Sequence, residues 1–150
     1  MSEWHVLFAG LIGVILSQVV TWWRDRVKKK AEDRHKLQWL QAEILDNLEH
    51  AGNHYLAGGK AKVKLLTEAW ETVKGDTLNL NPTLSRSLRN AYAEVWRLNC
   101  IVDYDLHIPQ GHGTLNTSLE VKANEVKTAL ADAHAKLAEH LGEKNVSSQS

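Results

Sequence analysis

Apolar and polar positions divide this chain into two unlike parts. From Trp4 to Trp23 the residues are apolar on every side of a helix, and none carries a charge. A helix needs about 20 such residues, at ~1.5 Å each, to cross ~30 Å of hydrocarbon. After Trp23 the pattern becomes one-sided. Leu37, Leu40, Ile44, Leu48, Ala51 and Tyr55 recur at steps of three and four, which predicts a helix over about residues 26–57. Nothing between Trp23 and Asp33 breaks a helix, so the apolar run is expected to continue into this element, and Gly58-Gly59 to end it. Val63, Leu66, Trp70 and Val73 predict a second, shorter helix stopped by Gly75. Leu84, Leu88, Ala91, Val95, Leu98 and Val102 predict a third, begun by Pro82 with Asn81 as its cap and widened by Tyr92, Trp96 and Asn99. Asp105–Gly113, with one Pro and two Gly, reads as a loop. Leu119, Ala123, Val126, Leu130, Ala133, Leu137 and Leu141 form the stripe of a last helix, with capping residues between Thr114 and Ser118. No strand-like alternation and no repeat is present. The expected fold is all-α: one N-terminal transmembrane helix with its flank (1–30), an antiparallel four-helix cytosolic bundle (31–144), and a polar, disordered tail (145–150).

Charge gives the first part an orientation. Arg24, Arg26, Lys28, Lys29 and Lys30 follow the apolar run, opposed only by Asp25, whereas Glu3 precedes it. A basic flank stays in the cytoplasm, so the N-terminus is expected outside and the C-terminal domain inside. Trp4 at one end and Trp22 and Trp23 at the other suit the two interfaces. A cleavable signal peptide fits poorly: its positive charge would precede a shorter core, and it would exit through small residues rather than Trp-Trp-Arg. Of 18 basic and 18 acidic residues, five basic and two acidic lie in the first 30. The remainder holds 13 and 16, net −3 with His neutral, which argues against duplex nucleic acid as a partner. Cys100 is the only cysteine, so no internal disulfide and no Cys-based zinc site can form; on the third helix it reads as core packing.

Four features are candidates for function. In the apolar run Ala9, Gly13 and Ser17 fall at successive steps of four, a spacing that lets membrane helices approach closely and self-associate, and Gln18 adds an amide that seeks an interhelical bond. On the third helix Arg86, Asn90, Ala93 and Arg97 line up opposite the apolar stripe, with Arg89 beside them. Guanidinium forks suit phosphate oxygens and an amide suits a base edge, although a solvated helix face explains the same residues. The segment His107–Thr114 offers Gln110, His112 and Thr114, with Asn116 just beyond, for stacking, hydrogen bonds and close backbone approach. It lacks the Lys-Ser/Thr ending of a P-loop, and a plain interhelical connection has equal weight. Lys60, Lys62 and Lys64 form a second cationic cluster, also read as surface. His50 and His54 stand four apart, but no third metal ligand is placed, so no metal is expected. No triad, carboxylate pair or dinucleotide fingerprint marks an enzyme, and no cofactor is implied. Glu43 and Asn47 interrupt the apolar positions of their helix and are expected to make a buried hydrogen bond, with Asn99 as the suggested partner.

One membrane helix, a basic stop, Leu40-Gln-Ala-Glu43-Ile-Leu-Asp-Asn47-Leu48 and then Ala91-Tyr92-Ala-Glu-Val-Trp-Arg-Leu-Asn99 compose a layout that resembles small bacterial membrane proteins of phage defence. In particular it resembles the ancillary membrane effectors of type III CRISPR systems that bind cyclic tetra-adenylate. The resemblance implies a homo-oligomer in the bacterial inner membrane whose cytosolic domains bind this second messenger and whose membrane helices then disrupt the bilayer of infected cells. A cyclic tetranucleotide has four-fold symmetry, so a tetramer would meet it with one set of donors per subunit. Arg86, Asn90, Arg97, Gln110, His112, Thr114 and Asn116 are the candidate contacts; they come from the residues' chemistry, not from a family motif. The alternatives are a membrane-tethered scaffold that docks a protein partner, and a ligand-independent pore former that is toxic on expression alone.

Overall fold

The computed structural model describes residues 3–56, 63–107 and 114–142, and their side chains except at 3–11, 54, 56, 78–79, 105–107 and 114–118. Among the described residues there are four α-helices: α1 (Glu3–His50), α2 (Glu68–Val73), α3 (Pro82–His107) and α4 (Thr114–Leu141). A π turn, Ala51–Leu56, extends α1, and a 3-10 turn, Asp76–Asn79, lies between α2 and α3. No strand occurs among the described residues. Contacts divide the chain into two units, Met1–His35 and Lys36–Ser150.

The first unit is a helix whose described side chains, Ile12 to His35, are all exposed. Two of its hydroxyls turn back onto the helix: Ser17 Oγ donates to the Val14 carbonyl and Thr21 Oγ1 to the Ser17 carbonyl, both at 2.8 Å. The Arg26 guanidinium stacks over the Trp22 ring, 4.1 Å from its centroid. Among the described residues no helix is long and apolar enough to cross a membrane. Of the apolar run, Ile12–Trp23 has described side chains, and 12 residues do not span hydrocarbon by themselves.

The second unit is a helical bundle around one core. On α3 Leu84, Leu88, Ala91, Val95, Leu98 and Val102 are buried, and on α4 so are Leu119, Ala123, Val126, Leu130, Ala133 and Leu137. Steps of three and four put each set on one face, and burial of those faces drives the pairing. Ser87 on α3 meets Asp132 on α4 while Glu94 meets Lys122, so the two helices run antiparallel. Asn81 caps α3, its Oδ1 accepting from the Thr83 N–H at 2.9 Å, and Pro82 occupies the first helical position. α3 extends past the expected loop boundary to His107, whereas α4 begins at Thr114, directly after the expected loop and within the stretch expected to cap it.

The stretch expected to be a second regular helix departs most from expectation. Residues 63–67 are not helical, and only Glu68–Val73 forms a helix. Its buried positions are Leu65, Ala69 and Val73, whereas Leu66, placed on the expected stripe, is exposed. Glu43 bonds to residues 69 and 70 and Asn47 to residue 66, so this stretch descends antiparallel to α1. The bundle is therefore up-down-up-down, with a largely irregular second member. Two side chains on α3 also differ from expectation. Trp96 is exposed, having been assigned to the core face, and so is Cys100.

Candidate functional site

The densest buried polar chemistry surrounds the irregular stretch. Asn47, fully buried on α1, accepts from the Leu66 N–H at 2.7 Å and donates to the Leu66 carbonyl at 2.8 Å. Asn99 on α3 does the same for Leu65, at 2.9 Å each way. A side-chain amide presents the same donor and acceptor as a peptide group, so the two Asn supply bonds that a strand partner would otherwise supply. Four residues on, the Glu43 carboxylate accepts from the N–H groups of Ala69 (2.7 Å) and Trp70 (3.2 Å) and from the Tyr92 hydroxyl (2.6 Å). The carboxylate thus satisfies two backbone donors of the first turn of α2. Tyr92 lies flat against Trp70, ring centroids 4.7 Å apart and planes 5° from parallel. Burial first, and then its bond to Glu43, push the Tyr92 hydroxyl far above the ordinary phenol value, so it stays a donor. Burial likewise raises Tyr55, whose hydroxyl donates to the Val63 carbonyl. The buried Asn47 and Glu43, with the half-buried Asn99, thereby fasten a stretch that has no regular ladder of its own. The expected buried hydrogen bond of Glu43 and Asn47 is present, but both side chains bond to the intervening backbone, with Asn99 reaching the same stretch from the other side.

The second feature is an open groove of about 700 Å³ between α3 and α4. Three carboxylates line it, Glu94, Glu125 and Asp132, together with the amides of Asn90 and Asn124. Ion pairs seam its two ends. Lys122 bonds Glu94 and Glu125, and Glu94 also receives Arg97. Lys136 donates to Asp132 (2.6 Å) and to Ser87 (2.8 Å), and Ser87 donates to Asp132. The Lys122 hydrogen bond holds Glu94 below the ordinary carboxyl range, and Lys136 followed by Ser87 does so for Asp132. Glu125 and then Glu94 raise Lys122.

Of the expected ligand contacts, Arg86, Asn90 and Arg97 stand exposed along α3, as their spacing requires. Asn90 lines the groove, Arg97 is engaged by Glu94, and Arg86 and Arg89 make no ion pair among the described residues. Gln110 and His112 lie outside the described residues; Thr114 and Asn116 belong to the first turn of α4, with side chains outside them. Ala9 falls on α1 with its side chain outside the described set. Gly13 is open, with nothing within 4 Å of where a Cβ would sit, and the Ser17 hydroxyl is occupied by its own helix. No group of three metal-ligating side chains occurs among the described residues. Neither the Asn47–Glu43–Asn99 set nor the groove carries a short local motif: the set's partners lie 19 to 49 positions away, most of them backbone atoms, and Ser87 meets Asp132 across 45 positions. Comparison with family models, curated proteins and solved structures found no match.

Proposed function

We propose that this chain is a single-pass membrane-anchored helical receptor of antiviral defence, whose cytosolic bundle binds cyclic tetra-adenylate and whose membrane helices respond by disrupting the bilayer. The observation that carries the anchor is the apolar surface of α1: Ile12, Val14, Ile15, Leu16, Val19, Val20, Trp22 and Trp23 all expose half or more of their area. Water opposes such a surface on every side of one helix, whereas hydrocarbon accepts it. Uncharged residues 4–11 continue it toward the N-terminus, giving the length a span needs. The Trp22–Arg26 stack suits the cytosolic interface, where an amphipathic ring meets a cation. For the ligand, Arg86, Arg89 and Asn90 offer two uncommitted guanidinium groups and an amide on one exposed face of α3, the donor set a phosphodiester with a base requires. Titration of the full chain in detergent with cyclic tri-, tetra- and hexa-adenylate tests this reading. Size-selective binding that weakens in Arg86→Ala supports it; absence of binding by the folded protein overturns the ligand.

A second reading, a membrane-tethered scaffold that docks a protein partner, draws on the groove. Glu94, Glu125 and Asp132 are matched there by Arg97, Lys122 and Lys136, so the groove presents alternating charges that a partner protein with the complementary pattern fits. Under this reading Glu125→Lys releases the partner, and cyclic oligoadenylates leave the protein unchanged.

A further inference from the structure

Resting on the membrane-anchored reading, we propose that Gln18 sets the contact face between two copies of this chain, and that the Ala9–Gly13–Ser17 face does not. The described polar side chains between Ile12 and Trp23 are Ser17, Gln18 and Thr21. Ser17 and Thr21 satisfy their hydroxyls on carbonyls one turn back, which is how a hydroxyl is tolerated in hydrocarbon without a neighbour. Gln18 makes no hydrogen bond among the described residues and stands exposed. Its primary amide brings two N–H donors and a carbonyl, which hydrocarbon cannot satisfy.

The interface offers no escape. Side chains on a helix lean toward its N-terminus, so Gln18 points away from the Trp22–Trp23 belt and the basic flank, deeper into the span. The partner must carry a donor and an acceptor at the same depth. A second copy does so by construction: an amide is self-complementary, and a two-fold axis beside Gln18 brings each N–H to the other carbonyl.

Helix geometry separates this face from the small-residue one. At 3.6 residues per turn Gln18 lies roughly 100° from Ser17, 140° from Gly13 and 180° from Ala9. Val14, Ile15 and Trp22 flank Gln18 at steps of three and four and supply the apolar surround, with Thr21 the fourth neighbour, its hydroxyl already bonded within the helix. One helix pair therefore cannot use both faces. The Gln18 face places a polar residue in a seam of apolar side chains, an arrangement that fixes register and subunit number.

The test uses the full chain in vesicles of bacterial phospholipid, with Cys100→Ser as background and one new cysteine at a time. Oxidative crosslinking is expected for Val14→Cys and not for Ala9→Cys. Adding Gln18→Leu to Val14→Cys should lower the crosslinked fraction about three- to tenfold, and Gln18→Asn should retain most of it. Crosslinking through Ala9→Cys instead, equal crosslinking at both positions, or indifference to Gln18→Leu overturns the inference while leaving the anchor intact. Extraction of the protein from the vesicles by alkaline carbonate overturns the anchor, and the inference with it.

Discussion

Glu43 illustrates how much a single buried side chain organises. It is 5% exposed, no cation pairs with it among the described residues, and its partners are two backbone N–H groups and a phenol. Truncation would leave three donors unsatisfied in the core, so Glu43→Ala is expected to cost about 3 kcal/mol, read as a lower denaturant midpoint with unchanged slope. Tyr92→Phe removes one donor and keeps the Trp70 stack, and should cost about 1 kcal/mol. Asn99→Ala frees both the N–H and the carbonyl of Leu65, for about 2 kcal/mol, whereas Asn99→Asp keeps the acceptor but faces the Leu65 carbonyl without a donor. These roles were half legible in the sequence. Polar residues at 43 and 47 on an apolar face announce a buried hydrogen bond, but the partners are peptide groups of residues 65–70, which every residue type carries. Nothing in the composition of that stretch distinguishes them. Trp96 and Cys100 show the reverse: hydrophobic residue types beside a core stripe that stand exposed all the same, because residue type alone does not fix how wide a buried face is.

At the scale of elements, strict periodicity was the reliable signal. The stripes of α3 and of α4 up to Leu137 are buried residue for residue, since each helix meets the core along one continuous face. The expected second helix failed because four apolar residues at steps of three and four cannot reveal that side chains from α1 and α3 have taken over the backbone bonds. The seam between α3 and α4 yields a pH dependence. Glu94 is held below its ordinary 4.5 and Asp132 below its ordinary 3.8 by their lysines. A carboxyl depressed in the fold binds its proton more readily once unfolded, so the seam contributes fully above pH 4.5 and its contribution fades as pH falls through the depressed values. Lys122 has the opposite sign: its contribution is complete below pH 10.5 and is lost as pH rises through its elevated value. Asp132 is half exposed, so water screens most of its share and Glu94 should dominate the acid limb. Thermal midpoints recorded from pH 7 down to 3 should fall less steeply in Glu94→Gln than in the parent.

For the whole molecule, the division at His35 separates two kinds of physics, one helix exposed at every described side chain and one bundle closed on its own core. A fragment covering residues 36–150 is expected to unfold in one cooperative transition, followed by circular dichroism; a gradual, non-cooperative loss of helix would show that the bundle needs the N-terminal residues. The full chain should resist alkaline carbonate extraction from membranes, while that fragment stays in the soluble fraction. Within the bundle, the Asn and Glu fastenings have a further consequence for amide hydrogen exchange. Leu65 and Leu66 sit in a stretch outside any helix, where peptide hydrogens ordinarily exchange with deuterium in a single local fluctuation. Here the Leu65 hydrogen is held from α3 and those of Leu66, Ala69 and Trp70 from α1. None can reach solvent until that stretch parts from the helix holding it. An irregular segment should therefore take up deuterium only on the timescale of global opening and serve as an internal clock for the cohesion of the bundle.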